Sequence, residues 1–215
     1  MTIETPTESA RADAKRRAIV EVARQVFLSQ GYAAASMSEI AARVGGSKGT
    51  LYNYFRSKEE LFSAFMTETC DRLATAFRSI PPIGQGRSVR DSLIDIGLTL
   101  MQFLMTDDFM AMHRLVLSEI PRFPEIGRMF YEAGPAKGEA RFTGYFVDAM
   151  AAGRFPAGDP QAVGQRLKDL VLSDLYLRRM WGVLDGLTDA ELRAHVADSV
   201  DVFLMVYAPE LSGAA

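Results

Sequence analysis

SEIAARVGGSKGTLYNYF, residues 38–55, holds two short helical patterns separated by two glycines and a serine. Ile40, Ala41 and Val44 recur at helical spacing, and Gly45 stops them. Ser47 reads as the N-cap of a second helix over 48–55, in which Leu51 and Phe55, four apart, can anchor to a core. Two short helices joined by a tight turn fit a helix-turn-helix, whose second helix enters the major groove of DNA with its N-terminal end leading. The residues at that end suit the task. Gly46 and Gly49 let the backbone approach phosphates and base edges, and the free N–H groups and helix dipole favour an anion. Ser47 and Thr50 can cap or donate, Lys48 adds charge, and Tyr52, Asn53 and Tyr54 follow on the next turn. The same pattern also fits a helical hairpin that packs and touches nothing.

Working outward, the period stays helical. Ile19, Val22, Ala23, Val26 and Phe27 mark one face of a helix expected over 11–29, with Gly31 as its stop. Ser36 with Glu39, Ser57 with Glu60, and Thr188 with Glu191 have capping-box spacing. The second of these opens a long helix over 58–79. IPPIGQGR, residues 80–87, holds two prolines and two glycines and is expected to be a domain seam. Further helices are expected over 88–104, 107–120, 124–152, 160–183 and 188–207, the fourth with Asp159 as cap and Pro160 at its first position. No hairpin signal interrupts them, so the fold class is all-α. The expected domains are a disordered tail at 1–10, a helix-turn-helix domain at 11–57, a connecting helix at 58–79 and a second helical domain at 80–210.

Composition narrows the function. The 215 residues are 48% hydrophobic, enough for one large core or two modest ones. No apolar run is long enough to span a bilayer, and the polar start is unlike a signal peptide. Cys70 is alone, and His113 and His195 are far apart, so neither a disulfide framework nor a Cys/His metal site is expected, and a reducing cytoplasm is the expected compartment. The net charge of −3 hides an asymmetry: residues 11–58 hold nine Lys or Arg against Asp13, Glu21 and Glu39, a surplus of 9 − 3 = +6. That segment is suited to a polyanion, although a solvated basic face on an all-α interaction module without DNA binding would show the same count. No phosphate loop, metal-spaced histidine pair or activated nucleophile stands out. No enzymatic role, cofactor or metal is expected.

SMSEIAARVGGSKGTLYNYFRSKEELF, residues 36–62, resembles the DNA-binding segment of the TetR family of bacterial transcriptional regulators, and the likeness spans about residues 11–70. The resemblance implies that the third helix reads DNA and that Lys58, at the start of the fourth, contacts the DNA backbone. By position it gives DNA-contact roles to Ser36, Ser38, Ser47, Lys48, Gly49, Thr50, Tyr52, Asn53, Tyr54 and Lys58. Many members carry a β-branched residue where this chain has Gly46, and the position of Asn53 varies among them. HRLVLSEIPRFPEIGRMFYEAGP, residues 113–135, is similar to the AefR-like C-terminal subgroup. The resemblance therefore implies a homodimer on a near-palindromic operator, repressing transcription until a small effector binds the C-terminal half.

Methionines and aromatics crowd that half, and such side chains adapt to irregular apolar pockets or fill a core. Met101, Phe103, Met105, Phe109, Met112, His113, Phe130, Phe142, Phe146, Tyr176 and Met180 are the candidate lining of an apolar or amphipathic effector site. Leu192, Val196, Val200, Phe203 and Tyr207 form an apolar stripe expected either at a dimer interface or in the subunit's own core.

Overall fold

A computed structural model describes residues 8–211. Among them there are ten α-helices and no strand: α1 (Glu8–Ala34), α2 (Met37–Val44), α3 (Lys48–Tyr54), α4 (Lys58–Phe77), α5 (Val89–Leu104), α6 (Asp107–Glu119), α7 (Pro124–Ala133), α8 (Pro135–Ala151), α9 (Pro160–Met180) and α10 (Asp189–Tyr207). The all-α expectation holds. The tail expected at 1–10 lies outside the described residues as far as residue 7, and Glu8, Ser9 and Ala10 already belong to α1.

Most helix ends follow local chemistry. Gly45 adopts the left-handed conformation at φ 72°, and the N–H groups of Gly45 and Gly46 return to the carbonyls of Ala42 and Ala41, which satisfies the end of α2. The Thr188–Glu191 capping box forms in full. The boxes at Ser36 and Ser57 form by halves. Each serine oxygen accepts from the N–H three residues on, but the Glu39 carboxylate turns to Gln30 and Arg43, and Glu60 accepts from the Arg56 N–H. The helix expected over 124–152 is two helices. Proline disfavours helical geometry in the residue before it and removes a donor, so the chain breaks at Gly134 ahead of Pro135. A Cβ at Gly134 would meet the Cys70 Sγ at 2.6 Å, so the break also brings the backbone tight against α4.

The described residues form two compact units. One comprises residues up to Glu68 together with Ala111–Ala133, and the other comprises Thr69–Met110 together with residues from Gly134 on. Helices α4 and α6 each contribute to both. The boundary thus falls inside two helices rather than at the proline-glycine stretch. That stretch belongs to the second unit, because Ile83 is buried in its core and the Gly84 N–H donates to the Ser92 hydroxyl at 3.1 Å; just before it, the Phe77 carbonyl accepts from Tyr145 at 3.0 Å. In the first unit, Phe27, Tyr32, Phe62 and Phe65 pack as an aromatic cluster with Phe123, their centroids 4.8 to 6.3 Å apart. In the second, α5, α9 and α10 meet at Gly97, where a Cβ would lie 2.7 Å from Val196 and 3.3 Å from Val171. Arg90 on α5 donates two bonds to Asp201 on α10, at 2.6 and 2.8 Å, which holds the Asp201 carboxyl below its ordinary range.

Helix α9 is broken at Ser173, whose φ of 44° and ψ of −148° suit glycine rather than an L side chain. The carbonyls on the N-terminal side of the break find partners on α10. The Ser199 hydroxyl donates to the Leu170 carbonyl at 3.2 Å, and the His195 Nε2 lies 2.9 Å from the Val171 carbonyl. Ser173→Gly is expected to relieve the strained conformation and raise unfolding stability by about 1 kcal/mol, which urea titration followed by circular dichroism would read.

Candidate nucleic-acid interface

Helix α3 has only seven residues, so its stability must come from its ends and its buried face. Ser47 caps the N-terminus: its oxygen accepts from the Thr50 N–H at 3.1 Å and lies 2.9 Å from the Thr50 hydroxyl. Leu51 and Phe55 are buried at 3% and 0% exposure and dock the helix against the first unit's core. With those two facing in, Ser47, Lys48, Gly49, Tyr52 and Asn53 face solvent, and Thr50 and Tyr54 are half-buried. Ser36 and Ser38, at the start of α2, are exposed, with Met37 and Ile40 buried beside them. The Lys48 ammonium sits 5.9 Å from the Tyr52 ring centroid, so charge and aromatic surface leave the helix together. Nine of the ten expected contact residues thus lie on α3 and its cap or at the start of α2, most of them open to solvent.

Lys58 is the departure. Its ammonium is turned onto the backbone, donating to the carbonyls of Tyr32 at 2.9 Å, Ala35 at 3.2 Å and Ala33 at 3.4 Å, and it lies 4.4 Å from the centroid of the Tyr32 ring. The Tyr32 hydroxyl donates to Glu59 at 2.9 Å. Burial and that carboxylate raise the phenol's pKa, and the Glu59 carboxyl is held low by the backbone and hydroxyl donors around it. Sequence reasoning missed a further residue, Glu119, which accepts from the backbone N–H groups of Tyr32 and Ala33. Nothing in the spacing pointed to it, because it lies 86 to 87 positions away.

The expected effector lining divides. Met101, Phe142 and Phe146 belong to the second unit's core, with Met105 packed against it. Phe109 and Met180 are buried in that unit, and Tyr176 is half-buried there, its phenol pKa raised by burial. Phe142 also lines a cleft of about 410 Å³ between α8 and α9, beside the Lys168–Glu139 ion pair, and Phe103 lines one of about 230 Å³ with Thr69, Arg72 and Asp108. Met112, His113 and Phe130 lie in the first unit, where the His113 imidazole stacks on Phe130 at 4.8 Å and burial lowers its pKa. The dimer stripe needs correction. Leu192, Val196, Val200 and Phe203 are 0 to 6% exposed within their own subunit, and Tyr207 stacks on Phe203 at 5.0 Å and packs against the same core. They face inward because α10 must seal α5 and α9. The opposite face leaves Val202, Met205 and Val206 exposed, and Leu177, Trp181 and Val183 are exposed on and just after α9.

Residues 19–65 match the family described as "Bacterial regulatory proteins, tetR family", and residues 91–209, over half the chain, match "AefR-like transcriptional repressor, C-terminal domain". The chain belongs to the TetR family. Among curated relatives, the HTH-type transcriptional activator FasR of Mycolicibacterium smegmatis is 42% identical over 66 residues, which span 31% of this chain and 30% of that protein. An HTH-type transcriptional repressor of Mycobacterium tuberculosis is 25% identical over 174 residues, 81% of this chain and 80% of that one. A crystal structure of a TetR-family transcriptional regulator from Mesorhizobium loti superposes with a TM-score of 0.81 at 30% identity, covering 94% of this chain and 99% of that one. The flavonoid-responsive regulator FrrA superposes at 0.78 and 30% identity, over 90% and 97%.

Two outcomes test the geometry. Ser47→Ala is expected to destabilise α3 by about 1 kcal/mol and to weaken any duplex bound there, seen as a lower melting temperature and raised Kd. For His113, the unfolded chain takes up the proton near pH 6.5, before the folded one does. Stability linked to this residue is therefore complete above about pH 6.5 and falls as pH drops through the lowered folded value. NMR titration should place the imidazole midpoint below 6.5, and His113→Gln should flatten the slope of stability against pH in that window.

Proposed function

We propose that the protein is a homodimeric, effector-responsive DNA-binding transcriptional repressor acting in the cytoplasm on a near-palindromic operator. The observation that carries this is the α3 surface: a capped, docked helix whose outward residues are Ser47, Lys48, Gly49, Tyr52 and Asn53. Small residues admit the backbone to the groove, Lys48 and the hydroxyls meet phosphates, and Asn53 is placed to read a base edge. Tyr54 supplies a hydroxyl from the half-buried side. Two such heads must sit about 34–36 Å apart to meet successive major grooves, which requires a two-fold partner. The exposed apolar side chains of α9 and α10, with Trp181, Met205 and Val206 foremost, are the surface for that partner. Repression is supported by the AefR-like match over 91–209 and by the mycobacterial repressor aligned over most of both chains. The effector is a small apolar or amphipathic molecule. The methionine and aromatic content of the second unit supports it, as does a neighbour that is flavonoid-responsive. Release needs only that effector and DNA favour different head spacings, a coupling of about 1–3 kcal/mol.

Gel shift and footprinting on the promoter of the protein's own gene and its neighbours test the reading. A protected, near-symmetric site lost at high salt is expected, and its absence from all of these promoters sinks the proposal. Asn53→Ala is expected to relax preference at one base-pair position in each half-site by about 1–3 kcal/mol, while Tyr54→Ala weakens all sequences alike, as binding to a mutated-operator panel would report. Val206→Glu should convert the dimer to monomer by light scattering and abolish the footprint.

A further inference from the structure

Between Ser36 and Ser57 the chain carries three cations, Arg43, Lys48 and Arg56. All three are exposed, but they are not equally available. Arg43 meets Glu39 at 2.8 Å, whereas among the described residues the side chains of Lys48 and Arg56 make no ion pair. The backbone aims Arg56 outward. Phe55, the C-cap of α3, is extended at φ −139° and ψ 118°, and successive side chains on extended backbone point to opposite sides. Phe55 is wholly buried, with the Arg16 guanidinium 4.9 Å from its ring centroid, so Arg56 leaves on the side away from the core. Backbone bonds fix this corner from both directions. The Phe55 N–H donates to the Leu51 carbonyl at 3.0 Å, and the Arg56 N–H donates to the Glu60 carboxylate at 2.7 Å. Glu60, the nearest following acid but one, is thus engaged with the Arg56 backbone rather than with its guanidinium.

Lys48 and Arg56 therefore stand at the two ends of the outward face of α3. The backbone rises about 9 Å along the helix from Lys48 to Tyr54, and the extended Phe55 adds about 3 Å more. The roughly 12 Å between the two positions matches the width of the B-DNA major groove, whose rims are the phosphates of opposite strands. We propose that Arg56 is a further DNA-binding residue, one that neutralises a phosphate on the strand across the groove from the phosphate met by Lys48. Helix α3 is then braced against both walls of the groove while Asn53 and its neighbours face the bases. The inference rests on the DNA-binding function proposed above. Arginine suits the trailing end of the helix, because its planar fork holds two phosphate oxygens at once and orients the head without reading sequence.

Counterion release reads the contact. Each phosphate neutralised contributes about 0.9 to the slope of log affinity against log salt, and a dimer presents two heads. Fluorescence anisotropy on the footprinted operator, from low to high KCl, compares the full-length wild type with Arg43→Met, Lys48→Met, Arg56→Met and Arg56→Lys. Arg56→Met and Lys48→Met are each expected to lower the slope by about 1.8. Arg56→Lys keeps the charge but not the fork, so the slope should hold while affinity falls several-fold. Arg43→Met removes a charge that is already paired and should leave the slope unchanged. Operators carrying one neutral methylphosphonate per half-site then locate the phosphates. The position that weakens the wild type but not Arg56→Met marks the phosphate held by Arg56, and the corresponding position for Lys48→Met should lie on the other strand. An Arg56→Met slope equal to that of the wild type, or both marked positions on one strand, overturns the proposal. The bonds that fix this corner are made by the Arg56 N–H, so Arg56→Met should melt with the wild type. If it does not, Arg56→Gln is read in the same way. A wild type that binds no operator at any salt removes the regulator reading itself, a different result from any of these.

Discussion

A helix of two turns cannot hold itself in water, and everything the protein does with DNA depends on one such helix being held. The constraint is met from outside α3. Ser47 satisfies the first free donors, the left-handed Gly45 turns the chain into position, and Leu51 and Phe55 pin the inner face. Because the inner face is fully committed, the outer face is free to be polar and irregular. Lys48, Tyr52 and Asn53 point outward and take no part in the packing that holds the helix, while Ser47 caps the helix and is itself exposed. The aromatic cluster of Phe27, Tyr32, Phe62 and Phe65 belongs to the same unit's core, in which Leu51 and Phe55 are also buried.

Most features decided within four or five residues were legible in the sequence. The caps at Ser36, Ser47, Ser88, Asp159 and Thr188 are local side chain–backbone bonds, and all of them form. Four of these were read from spacing alone, as was the exposed face of α3. The break at Gly134–Pro135 was equally local and was passed over because the apolar period runs through it. What could not be read was decided by distant partners. The strained Ser173 sits in an ordinary helical stretch, and its break is made tolerable by His195 and Ser199 from the next helix.

The two readings left open for the α10 stripe have the same origin. Periodicity finds the apolar face of a helix but not what covers it. Leu192, Val196, Val200 and Phe203 face α5 and α9 of their own chain, and the face that could meet a second copy is the one with the less regular pattern. The methionine and aromatic set divided for a similar reason. Met101, Phe142 and Phe146 fill space between packed helices, so residue type alone did not separate a wall from a filling. Lys58 sits at the position the family motif gives it, and the carbonyls its ammonium meets, from Tyr32, Ala33 and Ala35, lie more than twenty residues away, so no local spacing pointed to them.

Several cations of the head already have partners. Arg16 is paired with Glu68, Arg24 with Glu21 and Arg43 with Glu39, and Lys58 is spent on carbonyls. A head wrapped in unpaired cations would cling to any stretch of chromosome, since adhesion to arbitrary duplex grows with each phosphate neutralised. Engaging these four residues lowers that background stickiness, while the outward face of α3 stays open. Across a genome crowded with decoys, a less adhesive head spends more of its time free to sample, and the ratio of true to false occupancy rises without any tighter grip on the true site.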